Sequence, residues 1–422
     1  MPADIAFLFL TRHDNAYSLN PLAAAVESRW TSREVETVFV KNPAELDRIL
    51  ARAPGDGRQV ILGWSFCSVD WPRAVRLLRE IRRKHPGSHL LHLAGGPHAG
   101  AEPERTLQSG FDCVAIGEGE NIVLGFVQAL QEGRPPWEVP GVAALRDGQM
   151  VGGGRGAPAD LDAFPPYPLR HNRFQPLEIT RGCPYACRYC QISYQFTPRF
   201  RHRSAESVRE CVGQLHGAGL RDIRFISPSS LSYGSPDRTV HLEKVSALLE
   251  TVREIIGKSG RIFFGTFPSE VRPEHVSHES LRLLKKMVNN DNLLIGAQSG
   301  SDRLLEECRR GHSVATAVEA VRLALEYGFK PQVDIIFGLP GERPEEARAS
   351  LQLAETLAGW GARIHAHTFM PLPGTPWRGQ VPGTLDPSTQ RRLKQLAASG
   401  RVFGKWEGQI RSARQLAADA PR

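Results

Sequence analysis

The chain has 422 residues, 41% hydrophobic and 23% charged, with a formal net charge of +8. That length predicts two domains, and that composition builds globular cores rather than a disordered or fibrous chain. Nothing resembles a membrane span or a signal peptide. The odd count of seven cysteines argues for a reducing, cytoplasmic setting without a disulfide framework.

In chain order, IAFLFL (5–10), ETVFV (36–40), QVILGWSF (59–66), HLLHLAGG (89–96) and CVAIGEG (113–119) read as strands. They are nearly continuous in apolar residues, as parallel strands covered on both faces should be. Between them PLAAAVESRW, PAELDRILAR and WPRAVRLLREIRRKH have helical spacing with charges on one face. The alternation predicts a doubly wound, Rossmann-like α/β domain over 1–132. From 133 to 175 prolines and glycines accumulate, giving a linker composition. A small hairpin with Asp147-Gly148 at its turn interrupts it. The glycines 152–154 read as a turn, because no Lys-Ser/Thr and no helix follow.

A second alternation begins at 176: PLEIT, DIRFIS, RIFFGTF, NLLIGAQS, PQVDIIFG and RIHAHTFM are strand candidates separated by long helical segments. Six strand–helix units over 176–376 predict a partial (β/α)6 barrel with its chemistry at the C-terminal strand ends. Residues 377–422 have a mixed helical pattern and suggest only a peripheral helix or two.

The first barrel strand runs into RGCPYACRYC, where Cys183, Cys187 and Cys190 are spaced three and two residues apart. Thiolates are soft ligands for zinc or iron–sulfur clusters. A closed zinc site needs four ligands, and His202 is a candidate fourth. A three-cysteine cubane instead leaves one iron open to bind a substrate or cofactor, whereas an electron carrier would want a fourth cysteine. Cys67, Cys113, Cys211 and Cys308 are isolated, as small buried hydrophobes usually are.

CPYACRYC is similar to the CxxxCxxC signature of the radical S-adenosylmethionine (SAM) superfamily, including the aromatic Tyr189 before the last cysteine. GAQSGSDRLLE (296–306), VDIIFGLPGE (333–342) and FMPLPGTP (369–376) resemble successive barrel-strand ends of the same family, in its order. The resemblance implies a [4Fe-4S] cluster on the three cysteines, whose open iron chelates SAM and reduces it to give a 5′-deoxyadenosyl radical. It places Tyr189 near the adenine, Ser227 and Ser229 near the methionine moiety, Gln298 and Ser299 against SAM, and Gly338 and Pro340 along the nucleoside. Many relatives carry Glu where Gln298 stands; the amide keeps hydrogen bonding without the charge.

The domain order resembles the cobalamin-binding subclass of that superfamily, with LAGGPHA (93–99) and AIGEGE (115–120) carrying the likeness. The resemblance implies corrin contacts from Gly95, Gly96, Pro97 and an outward-pointing His98, from Glu118 and Gly119, and from Ser65 within the loop Trp64–Val69. Thr11, Arg12 and His13 could reach the same crevice. No Asp-x-His-x-x-Gly motif occurs, so the specific signal for a cobalt-ligating histidine is missing. The expected activity is cobalamin-dependent methylation of an unactivated centre. The alternatives are a radical cyclisation or rearrangement, a methylthiotransfer needing a second cluster for which the N-terminal half offers only Cys67 and Cys113, or a non-enzymatic metal or corrinoid carrier. Expected partners are a small-molecule or peptide substrate and a reductant such as flavodoxin or ferredoxin. No membrane partner is expected. Nucleic acid is disfavoured because the arginines form no aromatic-interleaved basic stripe. Arg199, Arg201, His365 and His367 are substrate-pocket candidates by their strand-end or near-cluster positions.

Overall fold

The computed structural model describes residues 4–52, 58–86 and 90–419. His89, the first residue of the expected fourth strand, lies outside them, as do the ends of the expected first and last segments. The chain divides into two compact units, Met1–Gln175 and Pro176–Arg422.

The first unit is built from β1 (Ile5–Leu10), α1 (Ala16–Arg29), β2 (Val35–Val40), α2 (Pro43–Arg52), β3 (Gln59–Ser65), α3 (Trp71–Lys84), β4 (Leu90–Gly95), α4 (Gly96–Ala99), α5 (Pro103–Gln108), β5 (Cys113–Ala115), α6 (Gly119–Gln131), β6 (Val142–Arg146) and β7 (Gln149–Gly152). Strand order is β2-β1-β3-β4-β5-β6-β7, parallel through β5 and antiparallel thereafter. Successive side chains of a strand face opposite ways, and IAFLFL shows the consequence. Ala6, Leu8 and Leu10 pack with Leu46 of α2 and Leu78 of α3, while Ile5, Phe7 and Phe9 pack with Val26 of α1 and Phe126 of α6. The order reverses between β1 and β3, and in such sheets ligands bind outside the carboxyl ends of the strands at that switch point.

The 133–175 stretch is folded onto this unit. Asp147 (φ 52°) and Gly148 (φ 76°) turn a two-residue hairpin, which extends the sheet beside β5. The chain then returns past Gly156, whose N–H donates to the Ile116 carbonyl at 2.9 Å.

The second unit contains β8 (Leu177–Glu178), β9 (Thr180–Arg181), α7 (Ile192–Gln195), β10 (Arg201–His202), α8 (Ala205–Gly217), β11 (Asp222–Ile226), α9 (Leu242–Ile256), β12 (Arg261–Phe263), α10 (His278–Met287), β13 (Asn292–Gln298), α11 (Asp302–Glu307), α12 (Val314–Glu326), β14 (Lys330–Phe337), α13 (Pro344–Gly359), β15 (Arg363–Thr368), α14 (Pro387–Ala398), β16 (Val402–Phe403) and α15 (Trp406–Ala418). Two parallel sheets, β12-β11-β8 and β13-β14-β15-β16, are stitched by single bridges at Ser227–Ser269 and Val271–Ile295. The wall therefore follows chain order, as an open barrel does. All six expected strands are present, and β16 adds a seventh from a segment expected to be only helical. Two residues paired to β15 are too short to show a sequence period. Helices begin where serines supply caps: Ser204, Ser277 and Ser313 accept from the N–H three residues on. Each such cap contributes about 1 kcal/mol.

Candidate active site at the strand ends of the second unit

The cysteine loop follows β9 and is shaped by backbone more than by side chains. Gly182 has φ +81°, and a Cβ there would lie 2.3 Å from the Arg199 carbonyl oxygen, so only glycine fits. The Cys183 N–H donates to Thr197 O (3.3 Å), Arg188 N–H to Cys308 O (3.0 Å) and Cys190 N–H to Cys187 O (3.1 Å). Tyr194 Oη donates to Ala186 O at 2.8 Å. Tyr185, Cys187 and Phe200 form a small core against which Cys183, Tyr189 and Cys190 pack. Burial raises the Cys183 thiol and pushes that of Cys190 up to about 12. Such thiols ionise at neutral pH only when a metal takes the proton's place.

All three cysteines line one cavity of about 460 Å³ inside the barrel mouth. As placed, the three sulfurs do not converge on one point as the donors of a single zinc do. Zn–S bonds of about 2.3 Å put tetrahedral sulfurs roughly 3.8 Å apart, whereas among the described residues only Asp334, His365 and His367 bring three ligand atoms within 4.8 Å of one another. His202 is also spent: Nδ1 meets Thr180 Oγ1 at 2.9 Å and Nε2 meets Ser235 O at 2.7 Å. The wider spread suits a cluster in which each thiolate takes its own iron.

Of the residues expected to touch SAM, Tyr189, Ser227 and Gln298 line this cavity. Tyr189 also packs on Leu339, Phe369 and Trp377, from the loops after β14 and β15. Four others are placed elsewhere. The Ser229 hydroxyl is buried with His275 Nδ1 (3.4 Å) and Ser232 Oγ (2.9 Å). Ser299 is buried against Ser350 of α13, Oγ to Oγ 3.4 Å, because it follows Gln298, which takes the inward face. Gly338 packs on Gly383, and Pro340 is buried in the same turn. Arg199 is exposed and Arg201 Nε donates to Thr197 Oγ1 at 3.1 Å, so neither reaches the cavity, whereas His365 and His367 both do.

Sequence reading missed Glu270, Arg272 and Arg310, which also line the cavity. Arg310 is buried, with Nη2 3.0 Å from Glu270 Oε1 and Nη1 4.0 Å from Cys187 Sγ. Arg272 pairs with Glu274 at 2.5 Å and covers the Tyr185 ring, 3.4 Å from its centroid. Two guanidiniums beside three cysteines offset the negative charge that a thiolate-bound cluster carries. No motif marks them; the only available signal was their position after the third and fourth barrel strands.

In the first unit, Ser65, Gly95, Gly96, Glu118 and Gly119 gather at the carboxyl ends of β3, β4 and β5. Gly96 has φ +88° and lies so close to Ser65 that a Cβ would sit 2.7 Å from its Oγ. Pro97 opens α4. His98 does not point outward as expected. It is buried, with Nδ1 3.0 Å from Ser68 Oγ and its ring 4.6 Å from that of Trp71, because α4 starts at once and turns it into the core. Glu118 also turns inward, accepting from Ala159 N–H at 3.1 Å. Thr11 accepts from Arg173, and Arg12 pairs with Asp70 at 3.2 Å. What this edge exposes is Tyr17, Cys67 and Val69, together with His13. Cys67 is thus the exception to the burial expected of the isolated cysteines.

An open parallel barrel whose first strand ends in three cavity-facing cysteines defines a strand-end metal-cluster enzyme. Residues 177–354 match the family model of the radical SAM superfamily, and this part of the chain is a radical SAM domain. The chain is 28% identical over 310 residues to a protein of Pyrococcus horikoshii described as an uncharacterized methyltransferase, covering 69% of this chain and 63% of that one. It is also 28% identical over 226 residues to the tRNA-2-methylthio-N(6)-dimethylallyladenosine synthase of Leptothrix cholodnii, covering 53% of this chain and 47% of that one. The chain therefore spans less than two thirds of each of these relatives. Among solved structures it shares its fold with the radical SAM methyltransferase TsrM of Kitasatospora setae, with tryptophan substrate and a SAM analogue bound (TM-score 0.69, 18% identity, 89% of this chain and 75% of that one). It likewise resembles the cobalamin-dependent SAM radical enzyme OxsB with aqua-cobalamin bound (TM-score 0.65, 14% identity, 94% of this chain and 56% of that one). No helix of the described residues is long and apolar enough to cross a membrane.

Proposed function

We propose that the protein is a cobalamin-dependent radical SAM methyltransferase acting on an unactivated centre of a small-molecule or peptide substrate. The observation that carries this is the pairing, in one chain, of the cysteine-lined barrel with a separate β2-β1-β3-β4-β5 sheet. That sheet's carboxyl edge is made of close-approach glycines and exposes Tyr17 and Val69 at the switch point, an apolar platform suited to a flat macrocycle. The fold likeness to TsrM and OxsB, and the relative described as a methyltransferase, support the same reading.

In this reading Cys183, Cys187 and Cys190 hold the [4Fe-4S] cluster, and Tyr189, Ser227, Gln298, Glu270 and Arg310 form the SAM site beside it. When bound, the cluster and SAM supply one-electron radical chemistry, and cobalamin supplies a methyl group. Arg310, fixed by Glu270 and by the Gly296 carbonyl (2.9 Å), presents a permanent positive charge toward Cys187 and orients carboxylate ligands. Leu339, Phe369 and Trp377 exclude water from the Tyr189 side of the cavity. Ser65, Gly95, Gly96, Pro97 and Gly119 shape the corrin edge, while His98 and Glu118 hold its loops from within. The electron comes from a flavodoxin- or ferredoxin-type donor. Methylthiotransfer is disfavoured: Cys113 is buried in β5, and one exposed cysteine, Cys67, cannot hold a second cluster.

Anaerobic purification from a cobalamin-replete host, with corrinoid and iron measured per chain, tests the reading. It requires near-stoichiometric corrinoid with about four irons. Iron without corrinoid would remove methylation by cobalamin and leave the radical SAM domain in place.

A further inference from the structure

A second donor set lies in the same cavity, on the strands opposite the cysteine loop in chain order. Asp334 of β14 and His365 of β15 are direct partners in the parallel register, and His367 lies two residues on, so all three project from one face. Asp334 Oδ1 is 2.9 Å from His365 Nδ1 and 3.7 Å from His367 Nε2, and the two ring nitrogens are 3.1 Å apart. Bonds of about 2.0–2.2 Å from nitrogen and oxygen to a divalent ion place neighbouring donors about 3 Å apart, which is the size of this triangle.

Protons alone serve the triangle badly. A hydrogen on His365 Nδ1 can be shared between Oδ1 and Nε2, but those two atoms then face each other with lone pairs. A hydrogen on His367 Nε2 instead leaves the His365 nitrogen lone pair against the carboxylate at 2.9 Å, and hydrogens on both nitrogens give His365 a sound bond to Oδ1 but leave His367 3.7 Å from it, beyond hydrogen-bond length, with the two N–H groups facing across 3.1 Å. A cation at the centre satisfies all three atoms. The rings are already held: His365 stacks on Phe403 at 4.5 Å with the planes 1° apart, and Gln409, which accepts from Thr368 N–H at 2.8 Å, borders His367 Nδ1 at 3.4 Å. Such support from outside the donor set is what orients ligating histidines. All three residues are part-exposed, on the cavity side.

We propose that Asp334, His365 and His367 bind a divalent transition ion of the zinc, manganese or iron(II) class inside the barrel, separate from the cluster. Two histidines and one carboxylate leave coordination positions open. Those positions face the cavity, where an oxygen or nitrogen donor of the substrate (a carboxylate or chelating hydroxyl) displaces water. The link to substrate rests on the radical SAM reading above; the ion site itself does not.

The test uses the full chain with Cys183, Cys187 and Cys190 changed to alanine, so that no cluster forms, produced in a host grown without cobalamin, so that no corrinoid absorbs, with folding checked by circular dichroism. Titration with Co2+ alone, followed by absorption, should give one ion per chain, with ligand-field bands and no sulfur-to-cobalt charge transfer. Asp334→Asn and His365→Gln should each weaken it by about tenfold or more, and Zn2+ should displace it. Absence of stoichiometric uptake, or uptake that both substitutions leave unchanged, overturns the proposal and makes the triad a hydrogen-bonded acid–base group. Should the chain without the three cluster cysteines or a variant not fold, elemental analysis of the anaerobic holoenzyme decides. About one equivalent of zinc or manganese, or of iron beyond the cluster's four, supports the site, and none refutes it.

Discussion

Cys183, Cys187 and Cys190 differ from the other cysteines in what surrounds them, since two guanidiniums share their cavity wall. Replacing any one with alanine should reduce iron to background and abolish anaerobic cleavage of SAM to 5′-deoxyadenosine; retained turnover in one variant would refute its ligand role. Arg310 is tested through its partner. Arg310→Met removes the charge that compensates Glu270, and breaking a buried pair costs about 3 kcal/mol, read as a lower denaturation midpoint, whereas the exposed Asp14, paired with Arg12, should tolerate Asn with little loss. Glu342 gives a pH signature. Burial pushes its carboxyl up to about 7, outweighing the hydrogen bond it accepts from Gly338 N–H (2.7 Å). Between about pH 4.5 and 7 the folded state holds a proton that the unfolded state has released, so stability falls as pH rises through that window and levels off above it. The loss is on the order of 3 kcal/mol. Glu342→Gln should flatten that slope in urea midpoints measured at pH 5 and pH 8, and an unchanged slope would dispose of the assignment.

At the scale of elements, the loop from β9 to α7 depends on Gly182. An alanine there would meet the Arg199 and Thr197 carbonyls at 2.3 and 2.7 Å and carry a φ of +81°. Gly182→Ala should therefore lose iron although every ligand remains. Gly341, also at positive φ but with open space around it, should cost stability without losing iron. If both load normally, backbone shape does not position the thiols. The strand–helix alternation was legible because each element repeats a local period. β16 and the inward turn of His98 were not, since pairing to β15 and the immediate start of α4 are relations between elements rather than patterns within one.

At the scale of the whole molecule, two compact units should lose their cofactors independently. Gly96→Val forces a side chain to within 2.7 Å of Ser65 at a positive φ and distorts the edge of the first unit alone. Corrinoid should fall while iron stays near four per chain; corrinoid retained in full would place its site elsewhere.

What the sequence by itself determined is what local chemistry encodes: the three-and-two cysteine spacing, the apolar runs of strands covered on both faces, the Asp147-Gly148 turn and the order of strand-end motifs. Each depends on residues near one another in the chain. Tertiary structure alone decided convergence and burial. It brought Glu270, Arg272 and Arg310 beside the cysteines, set Asp334 against His365 across two strands, and withdrew His98, Ser229 and Ser299 into packing. A side chain's role depends on which neighbours compete for its hydrogen bonds and its surface, and those neighbours come from strands far apart in sequence.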